Sequence, residues 1–190
     1  MDFKMIGTKG DPLTDWQGFF NELQKETPRG AVIIAGAFLD AQLRVLLSKF
    51  LVDDPKIVDE LIGSDKHADC PLSTFSSRIK AAYCLGLIGK GIYQDLNAVR
   101  KIRNKFAHKM HGYSFDEPEI VSWCKSLKLA KMITEAIPNL PDSHGNMFIL
   151  GVTQLAHWLA IITLEQEKNR RTVPKDPRLG QVVRATKPRK

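Results

Sequence analysis

Cysteine is scarce in this sequence. Cys70, Cys84 and Cys124 are odd in number and widely spaced, so no disulfide framework is readable and reduced, mostly buried thiols are expected. His67 stands near Cys70, but a zinc site needs four ligands and no second pair accompanies these two. No metal and no cofactor is expected. The chain also lacks an uncharged apolar run of the roughly 18 residues that a membrane span needs. The longest candidate, Ala31 to Leu43, is interrupted by Asp40. Met1-Asp2-Phe3-Lys4 does not have the basic-then-apolar layout of a signal peptide. A cytoplasmic protein without a membrane segment is the expectation. Alternating apolar and polar residues bounded by turns are missing as well, which excludes a substantial β-sheet.

What is present is an ordinary globular composition, 43% hydrophobic and 26% charged over 190 residues, enough for one domain with its own core. The net charge of +7 is unevenly placed. Between Lys168 and Lys190 stand nine bases, among them Arg170, Arg171, Lys187, Arg189 and Lys190, against the single acid Asp176. The remainder is close to neutral, so the basic character belongs to the tail. The tail also carries Pro174, Pro177 and Pro188 and few large apolar groups, a composition that cannot build a core and predicts disorder. Three segments follow: a loose N-terminus over residues 1–12, a helical domain over 13–167 and a basic tail over 168–190.

Within the domain, apolar residues recur every three to four positions. A first helix is expected from the cap Thr14 through Trp16, Phe19, Phe20 and Leu23, ending at Pro28-Arg29-Gly30. A second, from Ala31 to Leu51, is apolar nearly all round in its first half and must be enclosed by others. Asp40 and Arg44 interrupt it at a spacing that allows pairing. Asp54-Pro55 opens a short third helix, Ser73 caps a fourth that stops near Gly86, and a fifth follows Gly89 and Gly91 with Leu96, Val99 and Phe106 on one stripe. One helix is expected from Pro118 to just before Pro138, and a last one over about residues 146–168. Trp16, Trp123 and Trp158 lie on apolar faces and read as core. The architecture expected is an all-α, compact, antiparallel bundle of about six to eight helices.

Several blocks carry a resemblance. They are Phe20-Asn21-Glu22-Leu23, Arg29-Gly30-Ala31, Phe38-Leu39-Asp40, the run from Phe50 to Lys56, Phe75-Ser76-Ser77-Arg78-Ile79-Lys80, the run from Ile102 to His108, and Ser114-Phe115-Asp116. In this order, over roughly Phe19 to Trp123, the chain resembles the mannitol operon repressor family. Nothing beyond Pro138 carries the likeness. The resemblance implies a compact helical protein that acts in transcriptional repression of sugar-alcohol uptake genes without a recognised helix-turn-helix. It implies action through protein partners or non-specific nucleic-acid contact.

One constellation has chemistry in it. Arg103-Asn104-Lys105-Phe106-Ala107-His108 has the form Arg-Asn-x-x-x-His, which is similar to the motif of the HEPN superfamily, helical bundles that are often metal-independent RNases. A histidine can move the proton of a ribose 2′-hydroxyl, and an arginine can hold a phosphate bidentately. That likeness implies catalytic roles for Arg103, Asn104 and His108, usually in a dimer cleft. Arg100 and Lys101 add positive potential for a polyanion. On a straight helix, at 3.6 residues per turn, Arg103 and His108 point about 140° apart, so a helix end or a second chain is needed to bring them together. A structural reading stands beside the catalytic one: Arg103 pairs with a buried acid such as Asp40, while Asn104 and His108 cap the helix end. A helix-turn-helix over Ser73 to Gly86 and the following helix has the right outline, but Ile92, Tyr93, Gln94 and Asp95 are poorly suited to read base edges. The tail, with Arg170, Arg171, Lys187, Arg189 and Lys190, is expected either to be a solvated extension or to touch nucleic acid through counterion release. The regulatory reading leads, with a homodimeric RNase and a pure interaction scaffold as rivals.

Overall fold

A computed structural model describes residues 16–63, 70–109, 112–136 and 143–175. Eight helices occur among them: α1 (Trp16–Lys25), α2 (Pro28–Phe50), α3 (Pro55–Ile62), α4 (Phe75–Cys84), α5 (Lys90–His108), α6 (Pro118–Lys125), α7 (Lys128–Ala136) and α8 (His144–Lys168). There is no strand among the described residues. The expected cap at Thr14 and the expected loose N-terminus over residues 1–12 lie outside the described part of the chain.

The central helix is α2, in contact with α1, α3, α4, α5 and α8. It begins three residues before the expected Ala31. Thr27 accepts the Gly30 amide at 3.1 Å and Pro28 takes the first helical position, where its missing N–H leaves nothing unsatisfied. Pro28 therefore starts a helix here instead of breaking one. Leu39, Leu43, Leu46 and Leu47 are fully buried, each stabilising the fold by about 2 kcal/mol. Local capping explains other starts. Asp54 accepts from the Ile57 amide ahead of Pro55. Thr74 and Ser77 exchange capping bonds at α4, so the cap is Thr74 and not Ser73. Ser143 accepts the Asn146 amide at α8.

Both α2 and α8 are long and apolar enough to cross a membrane by length and composition alone. Here they pack along one another. Their C-terminal ends lie together, joined by Lys49 and Glu167. By contrast α5 runs against α2, since Arg29 at the start of α2 donates to the Ala107 carbonyl at the end of α5.

The single helix expected between Pro118 and Pro138 is two helices. The break falls at Ser126 and Leu127, and its cause lies in α5. Asp95, 1% exposed, accepts the Lys128 amide at 3.0 Å and the Leu129 amide at 2.9 Å. A carboxylate from a neighbouring helix thus caps α7 and complements its dipole. Burial raises the Asp95 pKa above its ordinary 3.8, and the two amides and Lys128 oppose that rise. Leu127 is buried under α8, where a Cβ added at Gly151 would lie 3.0 Å from its Cδ1. The chain turns here because both partners hold it.

Candidate functional site

Helix α5 carries the Arg-Asn-x-x-x-His segment. Leu96, Val99, Ile102 and Phe106 are fully buried, so the intervening residues are forced outward in two directions. Arg103 goes toward α2. Its stem lies on Gly36, where an added Cβ would come within 2.8 Å of Arg103 Cγ. Its guanidinium donates to Asn104 Oδ1 at 3.1 Å. The expected pairing of Arg103 with Asp40 is not formed, nor is that of Asp40 with Arg44. Asp40 instead meets Arg78 of α4 at 2.6 Å, and Arg44 donates to the Gly63 carbonyl. Arg78, 8% exposed, also donates to the Ile62 carbonyl at 3.0 Å. It satisfies the acid inside the apolar helix because it projects from a helix packed against that turn.

His108, the last residue of α5, is exposed and faces the other way. Together with Lys101, Asn104, Lys105, Lys109 and Trp123 it lines an open cleft of about 420 Å³ between α5 and α6. A second cleft of about 440 Å³ continues along α5 past Tyr93, Asn97 and Lys128, and shares Lys101 and Trp123 with the first. The structure therefore brings Asn104 and His108 to one cleft, while Arg103 rests its stem on Gly36 of α2 and reaches back to Asn104 Oδ1 with its guanidinium, without lining the cleft itself. At the rim Lys105 bonds Glu119 at 2.7 Å, and Tyr113 donates to the same carboxylate at 3.1 Å. The Lys105 contact holds the Glu119 pKa below its ordinary value.

The remaining expected contacts divide. Lys101 is exposed, with its ammonium 5.8 Å from the Trp123 ring centre. Arg100 is half-buried and donates to Asn97, so it is part of the fold's packing and outside both clefts. Arg170 pairs with Asp53 at 2.8 Å, and the Arg171 guanidinium stacks 3.9 Å from the Phe50 ring centre. The first residues of the tail thus lie back over the end of α2. Lys187, Arg189 and Lys190 fall outside the described residues. The helix-turn-helix outline is present as α4 and α5, but Ile92 and Tyr93 pack on the core and the Lys128 side chain lies over Gly91. The start of α5 thus turns Ile92 and Tyr93 to the core and lies beside the first residue of α7.

Trp158, expected in the core, is 42% exposed on α8, because Leu155 and Leu159 beside it take the inward positions. Trp123 is half-buried, and the side chain of Trp16 lies outside the described part. Among the cysteines, Cys124 is buried and its thiol is pushed up to about 12 by desolvation, Cys70 is half-buried, and Cys84 is exposed rather than buried. Among the described residues no group of three or more His, Cys, Asp or Glu is placed to hold a metal ion. Sequence reasoning missed the role of Asp95 in capping α7. A lone aspartate in an apolar stripe was the available signal.

Comparison with known proteins adds a name to this geometry. Two curated relatives, each described as a mannitol operon repressor, come from Escherichia coli strain K12 and from Escherichia coli O6:H1 strain CFT073. Each is 27% identical over 96 residues, 50% of this chain and 49% of the relative. The matched segment thus spans about half the length of the curated relatives. A solved structure, described as the MtlR-HPr complex from Escherichia coli, shares the fold with a TM-score of 0.61 and 21% identity, over 76% of this chain and 98% of that one. The mannitol repressor family matches residues 20–182, so the likeness reaches well past Pro138, through α8 and into the tail. The chain belongs to the mannitol repressor family.

Proposed function

We propose that this chain is a cytoplasmic transcriptional regulator of sugar-alcohol uptake genes that works through contact with protein partners, as a homodimer and without chemical turnover. The observation that carries the reading is the match of the mannitol repressor family to residues 20–182. In the Arg-Asn-x-x-x-His segment the Arg103 stem rests on Gly36 of α2 while His108 lines the cleft toward α6. General acid–base cleavage of RNA needs both groups within hydrogen-bond reach of one phosphodiester, and the Arg103 guanidinium is engaged by Asn104 Oδ1 instead. Family membership and the shared fold support the regulatory role. The solved Escherichia coli structure contains HPr, and a protein of that kind is the partner proposed for this chain.

The role is tested in the native host by measuring transcripts of the mannitol uptake genes with and without the gene for this chain. Loss of the chain raises those transcripts in the absence of mannitol, and re-expression of a His108→Ala variant restores repression. Unchanged transcripts contradict the regulatory role. Failure of the His108→Ala variant alone, with its folding intact, favours the RNase reading.

A further inference from the structure

The two joined clefts along α5 hold a combination of groups to which the regulatory reading assigns no part. Trp123, half-buried at the point where the clefts meet, presents an indole between cations. Lys128 lies toward one end, Lys101 at the middle, and His108 and Lys109 at the other end. Among the described residues neither Lys101, Lys109 nor Lys128 stands in an ion pair. The acid at the rim, Glu119, is taken by Lys105 and Tyr113. The surface from Tyr93 to His108 runs about 22 Å at 1.5 Å per residue.

We propose that this cleft binds single-stranded nucleic acid, with one base stacked at Trp123 and successive phosphates met by Lys128, Lys101 and the pair His108 and Lys109. A single strand offers what the lining asks for: an apolar face for the indole and regularly spaced anions along an extended path. A mononucleotide would reach Trp123 and Lys101 and leave both ends of the cleft unused. An acidic peptide would satisfy the lysines and leave the indole without a planar partner. A duplex is too wide for one base to reach the indole without leaving the stack. The proposal is independent of the regulatory reading, because it stands on the cleft alone.

The test uses the full chain and fluorescence anisotropy with labelled decauridylate and decathymidylate across a series of salt concentrations. Lys101→Gln, an exposed site, weakens binding several-fold and lowers the salt slope by about 0.7, the value for one phosphate on a single strand. Trp123→Leu keeps an apolar, though smaller, side chain against the core yet removes the stacking platform, and it weakens binding by about tenfold. Trp123→Tyr restores most of that affinity. Uridine monophosphate and poly-glutamate, matched in charge concentration, compete poorly. Wild-type affinity in both Lys101→Gln and Trp123→Leu overturns the proposal and leaves any binding to the tail. It is overturned equally by the absence of binding, or by poly-glutamate or the mononucleotide competing as well as the oligomer. If Trp123→Leu lowers the melting temperature, Lys101→Gln and Trp123→Tyr alone decide the matter.

Discussion

Removing the Asp95 carboxylate by Asp95→Ala strips α7 of its cap from outside the helix. Two backbone amides, of Lys128 and Leu129, lose acceptors at 3.0 and 2.9 Å, in a site where Asp95 itself is 1% exposed. An orphaned buried donor costs about 1–3 kcal/mol, and loss of an N-cap costs about 0.5–2 kcal/mol. These overlap, and the substitution also relieves the burial of a charge, the effect that raises the Asp95 pKa. A net loss of about 2 kcal/mol is expected, which lowers the melting temperature of a domain of this size by roughly 4–8 °C. Asp95→Asn keeps one acceptor and gives up less, about 1 kcal/mol. The pH dependence has a definite sign. A carboxyl whose pKa is raised in the folded state binds its proton more readily there than in the unfolded chain. The proton-linked part of its contribution is therefore fully present below pH 3.8, the ordinary value, and is lost as pH rises through the folded pKa, while the two amide hydrogen bonds remain at neutral pH. The stability difference between wild type and Asp95→Asn shrinks as pH rises through that window. Urea unfolding followed by helical circular dichroism measures both quantities. A loss below about 0.5 kcal/mol for Asp95→Ala at neutral pH would refute the assignment of α7's start to this residue.

Three further expectations follow from the same packing. Gly36→Ala forces the Arg103 stem aside and costs about 1 kcal/mol, and the cost falls in an Arg103→Ala background, as a double-mutant cycle by chemical denaturation will show. Arg78→Met leaves Asp40 and the Ile62 carbonyl without their donor and destabilises by about 3 kcal/mol; a neutral result in thermal unfolding means that the pair does not tie α4 to α2. With a thiol reagent under native conditions Cys84 is labelled first, whereas buried Cys124, its pKa pushed up to about 12, reacts only on unfolding; mass spectrometry of the labelled peptides reads the order.

Much of this molecule was legible in the periodicity of its apolar residues. The stripe through Leu96, Val99 and Phe106 sets the buried side of α5, and that in turn leaves Arg103, Asn104 and His108 outside the core. What local pattern left open were features decided by contacts distant in sequence. Thr27 and Pro28 read as the end of one helix and are the start of the next, because proline is welcome at the first position once a cap precedes it. Nothing around Ser126 marks a break; its cause, Asp95, lies on a different helix. Asp40 asked for a cation, but a choice among Arg44, Arg78 and Arg103 needs the three-dimensional placement of α4. The tail's composition predicts disorder, yet at its start the Asp53 carboxylate and Phe50 ring supply partners for Arg170 and Arg171. Trp123 was assigned to the core because a half-buried indole on an apolar stripe and a cleft floor look alike in one dimension.

The proposed regulatory role requires that this chain engage a protein partner. Isothermal titration of the purified full chain with HPr from the same host tests it directly. Saturable binding at a fixed stoichiometry is expected, unaffected by Arg103→Ala and His108→Ala once those variants are shown to fold. The absence of a binding isotherm, together with cleavage of single-stranded RNA that vanishes in His108→Ala, would contradict it.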